Sequence, residues 1–227
     1  MTPIQKAAEA ITEADALLIG ASNGLSIAEG YHIFADNEMF RRQFGDFRQK
    51  YGIRNVIEGC FYHYPTMNDR QEFLNRLVRY WIKDYHPSQV MKDLLSVVGN
   101  NDYFILTSNA DTHLELSGFD SERVFEIEGT FENIVMNIPI QDKSREANAF
   151  LDRYRNKRLV ILELGIGKRN RMIKLPLMQL SASEPQATYI TLNLTPELYI
   201  PENLAHKSIG LEGDIAVTLG ELKRLLI

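Results

Sequence analysis

Residues 14–31 read ADALLIGASNGLSIAEGY. The apolar run from Ala16 to Ile19 stops at Gly20 and gives way to small residues, Ala21, Ser22, Gly24 and Ser26, before Gly30. A short apolar run bounded by glycine reads as a buried strand entering a tight turn. Small side chains in such a turn let backbone N–H groups approach a pyrophosphate, and a following helix adds the positive end of its dipole. The spacing Gly20-x-x-x-Gly24 is not the GxGxxG fingerprint, so an ordinary strand-to-helix turn accounts for the stretch equally well. The rest of the chain decides between the two.

A chain of 227 residues, 44% hydrophobic and 24% charged, can bury a sizeable core as one domain or as one domain carrying an inserted module. The net charge of −5 favours neither nucleic acid nor an anionic membrane as the main partner, and an acidic substrate protein would need a local basic patch. MTPIQKAAEA lacks the basic and apolar regions of a secretory leader, and no apolar run approaches the roughly 18 residues of a membrane span, so a cytoplasmic location is expected. The single cysteine, Cys60, excludes an internal disulfide and a four-cysteine zinc ribbon. His32 and His113 fall in expected loops, His63 and His86 flank an expected helix, and His206 lies near the C-terminus. No metal-ligand spacing joins them, so they read as surface or capping histidines and no metal is expected.

Taken in order, Ile4, Ala7, Ala8 and Ile11 recur at helical spacing behind Pro3, which predicts an opening amphipathic helix over 3–13. Residues 36–52 mix Phe40, Phe44 and Phe47 with arginines without clean periodicity. They suit a mobile or ligand-ordered segment over a cofactor, or a helical insertion with its aromatics in the core. Phe73, Leu74, Leu77, Val78, Trp81 and Ile82 share one face of a helix over 69–85, and a second helix over 88–98 starts at a Ser88 cap and stops at Gly99. Strands follow at Tyr103–Thr107, Val124–Ile127, Arg158–Leu164 and Ala187–Leu192, with a helix over 144–156 between the second and third. Ile209–Asp214 leads into a last helix, Ile215–Leu226.

Strands alternating with helices predict an α/β fold with a parallel sheet covered on both faces. In such sheets ligands bind beyond the carboxyl ends of the strands, and Gly20, Ser108, Glu128, Gly165 and Asn193 each follow a strand end. That coincidence points to one shared site. With no repeat or linker, the weakly patterned segments 31–99 and 130–156 read as a small inserted lobe, and about 1–30, 100–129 and 157–227 as the sheet domain.

The strand-end strings resemble the sirtuin family. Gly20-Ala21-Ser22, with Gly24 and on through Ser26 and Gly30, looks like that family's GAG-x-S…G loop with two extra residues. Thr107-Ser108-Asn109-Ala110-Asp111…Gly118 looks like its T-Q-N-x-D…G motif, with Ser108 in the Gln position, and Val124-Phe125-Glu126-Ile127-Glu128-Gly129 is similar to V-x-E-L-H-G. Gly165-Ile166-Gly167 stands where the family has G-T-S, Asn193 where its adenosine-ribose Asn lies, and Gly213-Asp214-Ile215 where a Gly-Asp pair meets adenine. Phe34 matches the Phe of the D-F-R loop, although Ile33 and Ala35 flank it.

The resemblance implies a Rossmann-like sheet domain and NAD as cofactor, with Asn109, Asp111 and Glu128 as catalytic residues and the other strand-end residues holding the dinucleotide. Two departures refine it. Glu128 replaces the histidine that in deacylating members takes a proton from a ribose hydroxyl, and no cysteines stand where the zinc ribbon belongs, between Glu128 and Arg158. The enlarged first loop, the TSN-x-D wording and the ELG-x-G string resemble the zinc-free, macrodomain-linked sirtuins, which are protein ADP-ribosyltransferases acting on a lipoyl-carrier protein. Those carry Gln where this chain has Glu128. Three functions therefore stand: ADP-ribosyl transfer from NAD to a protein side chain, a deacylase with Glu128 as base, and a non-catalytic NAD or ADP-ribose sensor. Protein is the expected partner, and the acceptor and oligomeric state stay open.

Overall fold

The apolar runs become six strands: β1 (Ala16–Ala21), β2 (Tyr103–Thr107), β3 (Val124–Glu126), β4 (Leu159–Leu164), β5 (Thr188–Asn193) and β6 (Ser208–Glu212). They form one sheet in the order β3-β2-β1-β4-β5-β6, with every pair parallel, in a computed structural model that describes residues 1–227. β1 and β4 are buried along their whole length, as central parallel strands must be when helices cover both faces. Leu18 pairs with Phe104 on one side and Ile161 on the other, so that Ala21 sits level with Thr107 and Leu164 at the carboxyl edge. The chain order reverses between β1 and β4, and this switch point is where a crevice opens in such sheets.

The helices are α1 (Pro3–Glu13), α2 (Asn23–Ala28), α3 (Glu38–Tyr51), α4 (Val56–Phe61), α5 (Met67–Val78), α6 (Gln89–Val98), α7 (His113–Leu116), α8 (Phe131–Met136), α9 (Ser144–Arg153), α10 (Lys174–Ser183) and α11 (Ile215–Leu226). Thr2 and Gln5 close a reciprocal capping box on α1, with Pro3 in its first turn. A π-helical turn, Arg79–Lys83, continues α5, where an unbroken helix over 69–85 was expected. Side chains alternate along β1. Leu17, Ile19 and Ala21 face a core closed by α1, α6 and α11, and Ala16 and Leu18 face one closed by α9 and α10.

A third core lies apart from the sheet. Phe40, Phe44 and Phe47 of α3 pack on Phe73, Leu74 and Leu77 of α5, with Trp81 and Phe131 beside them. Segment 36–52 is thus largely helical, with its aromatics in the core. Not every helix within 31–99 and 130–156 joins this third core. Val90, Leu94 and Val97 of α6 join the sheet core, and Phe150 of α9 meets Phe104 of β2, because both helices present apolar stripes that the sheet faces need.

Candidate active site

The loop after β1 is held by close packing. A Cβ on Gly20 would lie 2.3 Å from Leu177 Cδ1, so this glycine makes room for α10. Gly24 touches Gly165, its N–H donating to the Gly165 carbonyl at 3.1 Å. The Ser22 hydroxyl does not cap α2; it pairs with the Ser108 hydroxyl at 2.9 Å and so ties the first loop to the second. Gly30 takes a φ of +98° just past α2, and no atom would crowd a side chain there.

The loop after β2 is anchored to the same place. The Asn109 backbone N–H donates to Thr107 Oγ1, and its side-chain Nδ2 donates to the Ser22 carbonyl at 3.2 Å. This leaves the buried Asn109 Oδ1 with no hydrogen-bond partner. An orphaned buried acceptor costs of order 1–3 kcal/mol unless a ligand supplies a donor. Asp111 Oδ2 accepts from Ser26 Oγ at 2.5 Å and its Oδ1 from the His113 backbone N–H at 3.2 Å. Its carboxylate therefore fixes α2 and caps α7.

A cleft of roughly 340 Å³ opens at these strand ends, within the range of small-ligand sites. Ser26, Ser108, Asn109, Asp111 and Glu128 line it from the sheet side, and Phe34, which is half exposed, stands at its edge. The opposite wall is apolar: Ile33, Ile57, Trp81, Phe131 and Ile134 from the lobe. Glu128 is exposed and makes no hydrogen bond to protein, while Gly129 behind it holds a φ of +77° against Ile140. No imidazole lines the cleft. Cys60 does, but burial pushes its thiol up to about 12, which leaves it a neutral wall residue at ordinary pH.

The remaining expected residues lie on the same carboxyl edge outside this cleft. Gly165 turns at φ +61°, and the buried Ile166 offers its carbonyl to Asn193 Nδ2 at 2.9 Å and to Lys174 Nζ at 3.3 Å. Gly167 follows, and a Cβ there would lie 3.4 Å from Glu197. Asn193 Oδ1 accepts from the Leu194 N–H, so both ends of this amide shape the loop. Asp214 caps α11 through the Ala216 and Val217 N–H groups, with Ile215 buried beneath it.

Two clusters escaped the sequence reading. His113, expected on a surface loop, is fully buried and joins Glu29 and the Trp81 carbonyl. Its partners lie far away in sequence, and only the sheet brings them together. Lys174 and Glu163 form a buried ion pair at 2.5 Å, with Tyr189 and Thr191 also donating to Glu163, below the 165–167 turn. A charged residue inside an apolar strand was the one available signal. No set of His, Cys, Asp and Glu side chains comes together as a metal site, and no helix is long and apolar enough to cross a membrane.

No family model matches the chain. A curated relative from Staphylococcus aureus (strain Mu50 / ATCC 700699), named protein ADP-ribosyltransferase, is 23% identical, with the alignment covering 92% of this chain and 84% of the relative. A solved structure from work on the mechanism and regulation of Sir2 enzymes superposes with a TM-score of 0.58, at 13% identity, over 99% of this chain and 97% of that one. With six parallel strands in this order and polar strand-end residues facing a cleft, the chain shares the fold of that Sir2 structure.

Proposed function

We propose that the chain cleaves NAD at the nicotinamide–ribose bond and passes ADP-ribose to a protein side chain. The observation that carries this reading is Asn109: a rigidly held amide in the cleft whose Oδ1 lacks a donor. A ribose hydroxyl or a carboxamide N–H supplies that donor. The contact between Gly24 and Gly165 likewise leaves two neighbouring loops with no side chain at the point where they meet. These features fit a dinucleotide laid along the carboxyl edge, its adenosine half toward Gly165, Asn193 and Asp214.

In the reaction the bond between C1′ and the nicotinamide nitrogen breaks, its electron pair leaving with nicotinamide. A nucleophilic atom of the acceptor then bonds to C1′ and loses its proton. Asn109 and the carboxylate-lined rim provide fixed dipoles and negative charge toward the positive charge that develops at C1′, which is where preorganised groups lower a barrier. The apolar lobe wall excludes water, the competing acceptor. Transfer to protein is favoured over deacylation by the name of the Staphylococcus relative and by a cleft without an imidazole to take a proton from a ribose hydroxyl. The lipoyl-carrier type of acceptor implied by the family resemblance is part of the proposal. The deacylase reading keeps one support, the carboxylate of Glu128 on the cleft rim, which can act as a base.

The test is ligand-induced stabilisation followed by product analysis. Millimolar NAD raises the melting temperature, because a ligand that binds only the native state stabilises it by mass action, and free nicotinamide accumulates. A flat melting curve with no nicotinamide overturns the assignment. A shift without nicotinamide indicates a sensor.

A further inference from the structure

His113 is completely buried, yet both ring nitrogens face acceptors. Nδ1 lies 3.0 Å from Glu29 Oε1 and Nε2 lies 2.7 Å from the Trp81 carbonyl. A ring with a single proton must turn a lone pair toward one of these two oxygens. Against an ionised Glu29, only the doubly protonated ring satisfies both. Negative charge is at hand to hold it: Glu29 is itself buried, and Asp111 Oδ2 lies 3.9 Å from Nδ1. The second Glu29 oxygen accepts from Tyr85 Oη at 2.7 Å and Ser88 Oγ at 2.6 Å, which holds that carboxyl group in place. Tyr85 stacks on the ring at 3.8 Å and Tyr31 meets it edge-on at 4.5 Å.

The partners come from three segments of the chain. Glu29 caps the end of α2, Asp111 belongs to the loop after β2, and Trp81 sits in the π-helical turn of the lobe, the kind of helical irregularity that recurs at functional sites. Asp111 and Trp81 both line the cleft. One buried ring thus joins the sheet side to the lobe behind the part of the cleft lined by Asp111 and Trp81.

We propose that His113 is a positioning residue of this site: its imidazolium, seated on Glu29, holds the Trp81 carbonyl while its backbone N–H holds the Asp111 carboxylate, and so it sets the lobe wall against the Asn109–Asp111 loop. The role rests on the reading of the cleft as an NAD-cleaving site. Burial by itself pulls the ring toward neutrality, but the hydrogen bond to Glu29 and the charges of Asp111 and Glu29 outweigh it and raise its pKa above the ordinary value. Tyr31 and Tyr85, the other titratable groups against the ring, are raised by burial and stay neutral in the same range. Loss of the ring proton at alkaline pH turns one of the two bonds repulsive and frees the wall.

The experiment has two arms on the full chain. Nitrogen NMR of the five histidine rings reads the charge directly. The His113 ring is expected to be doubly protonated at pH 7 and to titrate above the ordinary histidine value; a neutral ring at pH 7 overturns the proposal. Nicotinamide release is then followed against NAD concentration and pH. For His113→Gln, kcat is expected to fall about ten-fold with KM for NAD within about two-fold, and the alkaline limb of the profile to disappear. Glu29→Gln, which keeps the shape and removes the charge, is expected to move that limb to lower pH. A fall confined to KM, or unchanged profiles in both variants, overturns the proposal. Wild-type protein that releases no nicotinamide overturns the NAD-cleavage reading and this role together, whereas active wild type with a neutral ring overturns only the role of His113.

Discussion

Gly24 and Gly165 touch backbone to backbone: a Cβ added to Gly24 would lie 2.5 Å from Gly165 Cα, and one added to Gly165 would lie 2.5 Å from Gly24 Cα. The loops after β1 and β4 meet here, at the switch point of the sheet, and no side chain fits between them. Gly165 also holds a left-handed φ of +61°, which disfavours any Cβ on conformational grounds. Gly165→Ala is therefore expected to cost about 2–4 kcal/mol, from overpacking added to backbone strain. Urea unfolding checks it: the midpoint drops with an unchanged slope. A midpoint within error of wild type contradicts the contact.

Asn109→Ala tests the cleft with little disturbance to the fold. It removes one hydrogen bond, to Ser22, worth about 1 kcal/mol, and at the same time removes the buried acceptor that has no partner. Stability should change by no more than that. Nicotinamide release should fall by about 100-fold, the scale of losing one preorganised polar contact. Equal turnover in the variant contradicts the placement of NAD against this loop.

A second titratable site behind β3 sets a stability trend. Burial, and then the neighbouring Glu126 carboxylate, push Glu115 up to about 8. A carboxyl raised in the fold contributes stability that is complete below its unfolded value, about 4.5, and is lost as pH rises toward 8. His113, raised from 6.5, acts in the same direction from that pH upward. Melting temperature should accordingly decline from pH 5 to pH 8. Glu115→Gln is expected to flatten the decline and to be more stable than wild type at pH 8. A wild-type curve rising over that interval contradicts both assignments.

The strands were legible because β1, β2 and β4 are apolar runs, β4 broken only by Glu163, and each ends in a small or polar string. The same endings lie at the carboxyl edge, where a cleft gathers Ser26, Phe34, Ser108, Asn109, Asp111 and Glu128. Local pattern was silent on α10: Pro176 and the buried Lys174 interrupt its apolar residues, and the pairing that explains Lys174 lies on β4. It was silent too on His113, whose carboxylate partner stands 84 residues away. A histidine between a threonine and a leucine carries no sign of burial. A Cβ on Gly20 would meet Leu177, and sequence holds no information on which face of a loop a distant helix will press.

The central claim, that this cleft transfers ADP-ribose and does not deacylate, is tested most directly by asking what nicotinamide release depends on. NAD is supplied alone, with an acetyl-lysine peptide, and with a lipoyl-carrier protein, to wild type and to Glu128→Gln. The account predicts no deacetylated peptide and slow release with NAD alone. It predicts release stimulated by the carrier protein, which gains the mass of one ADP-ribosyl group, and much of this activity retained in Glu128→Gln, since an amide still accepts a ribose hydroxyl but is no base. Release that requires the acetyl-lysine peptide, with deacetylated product formed by wild type and lost in Glu128→Gln, would contradict it.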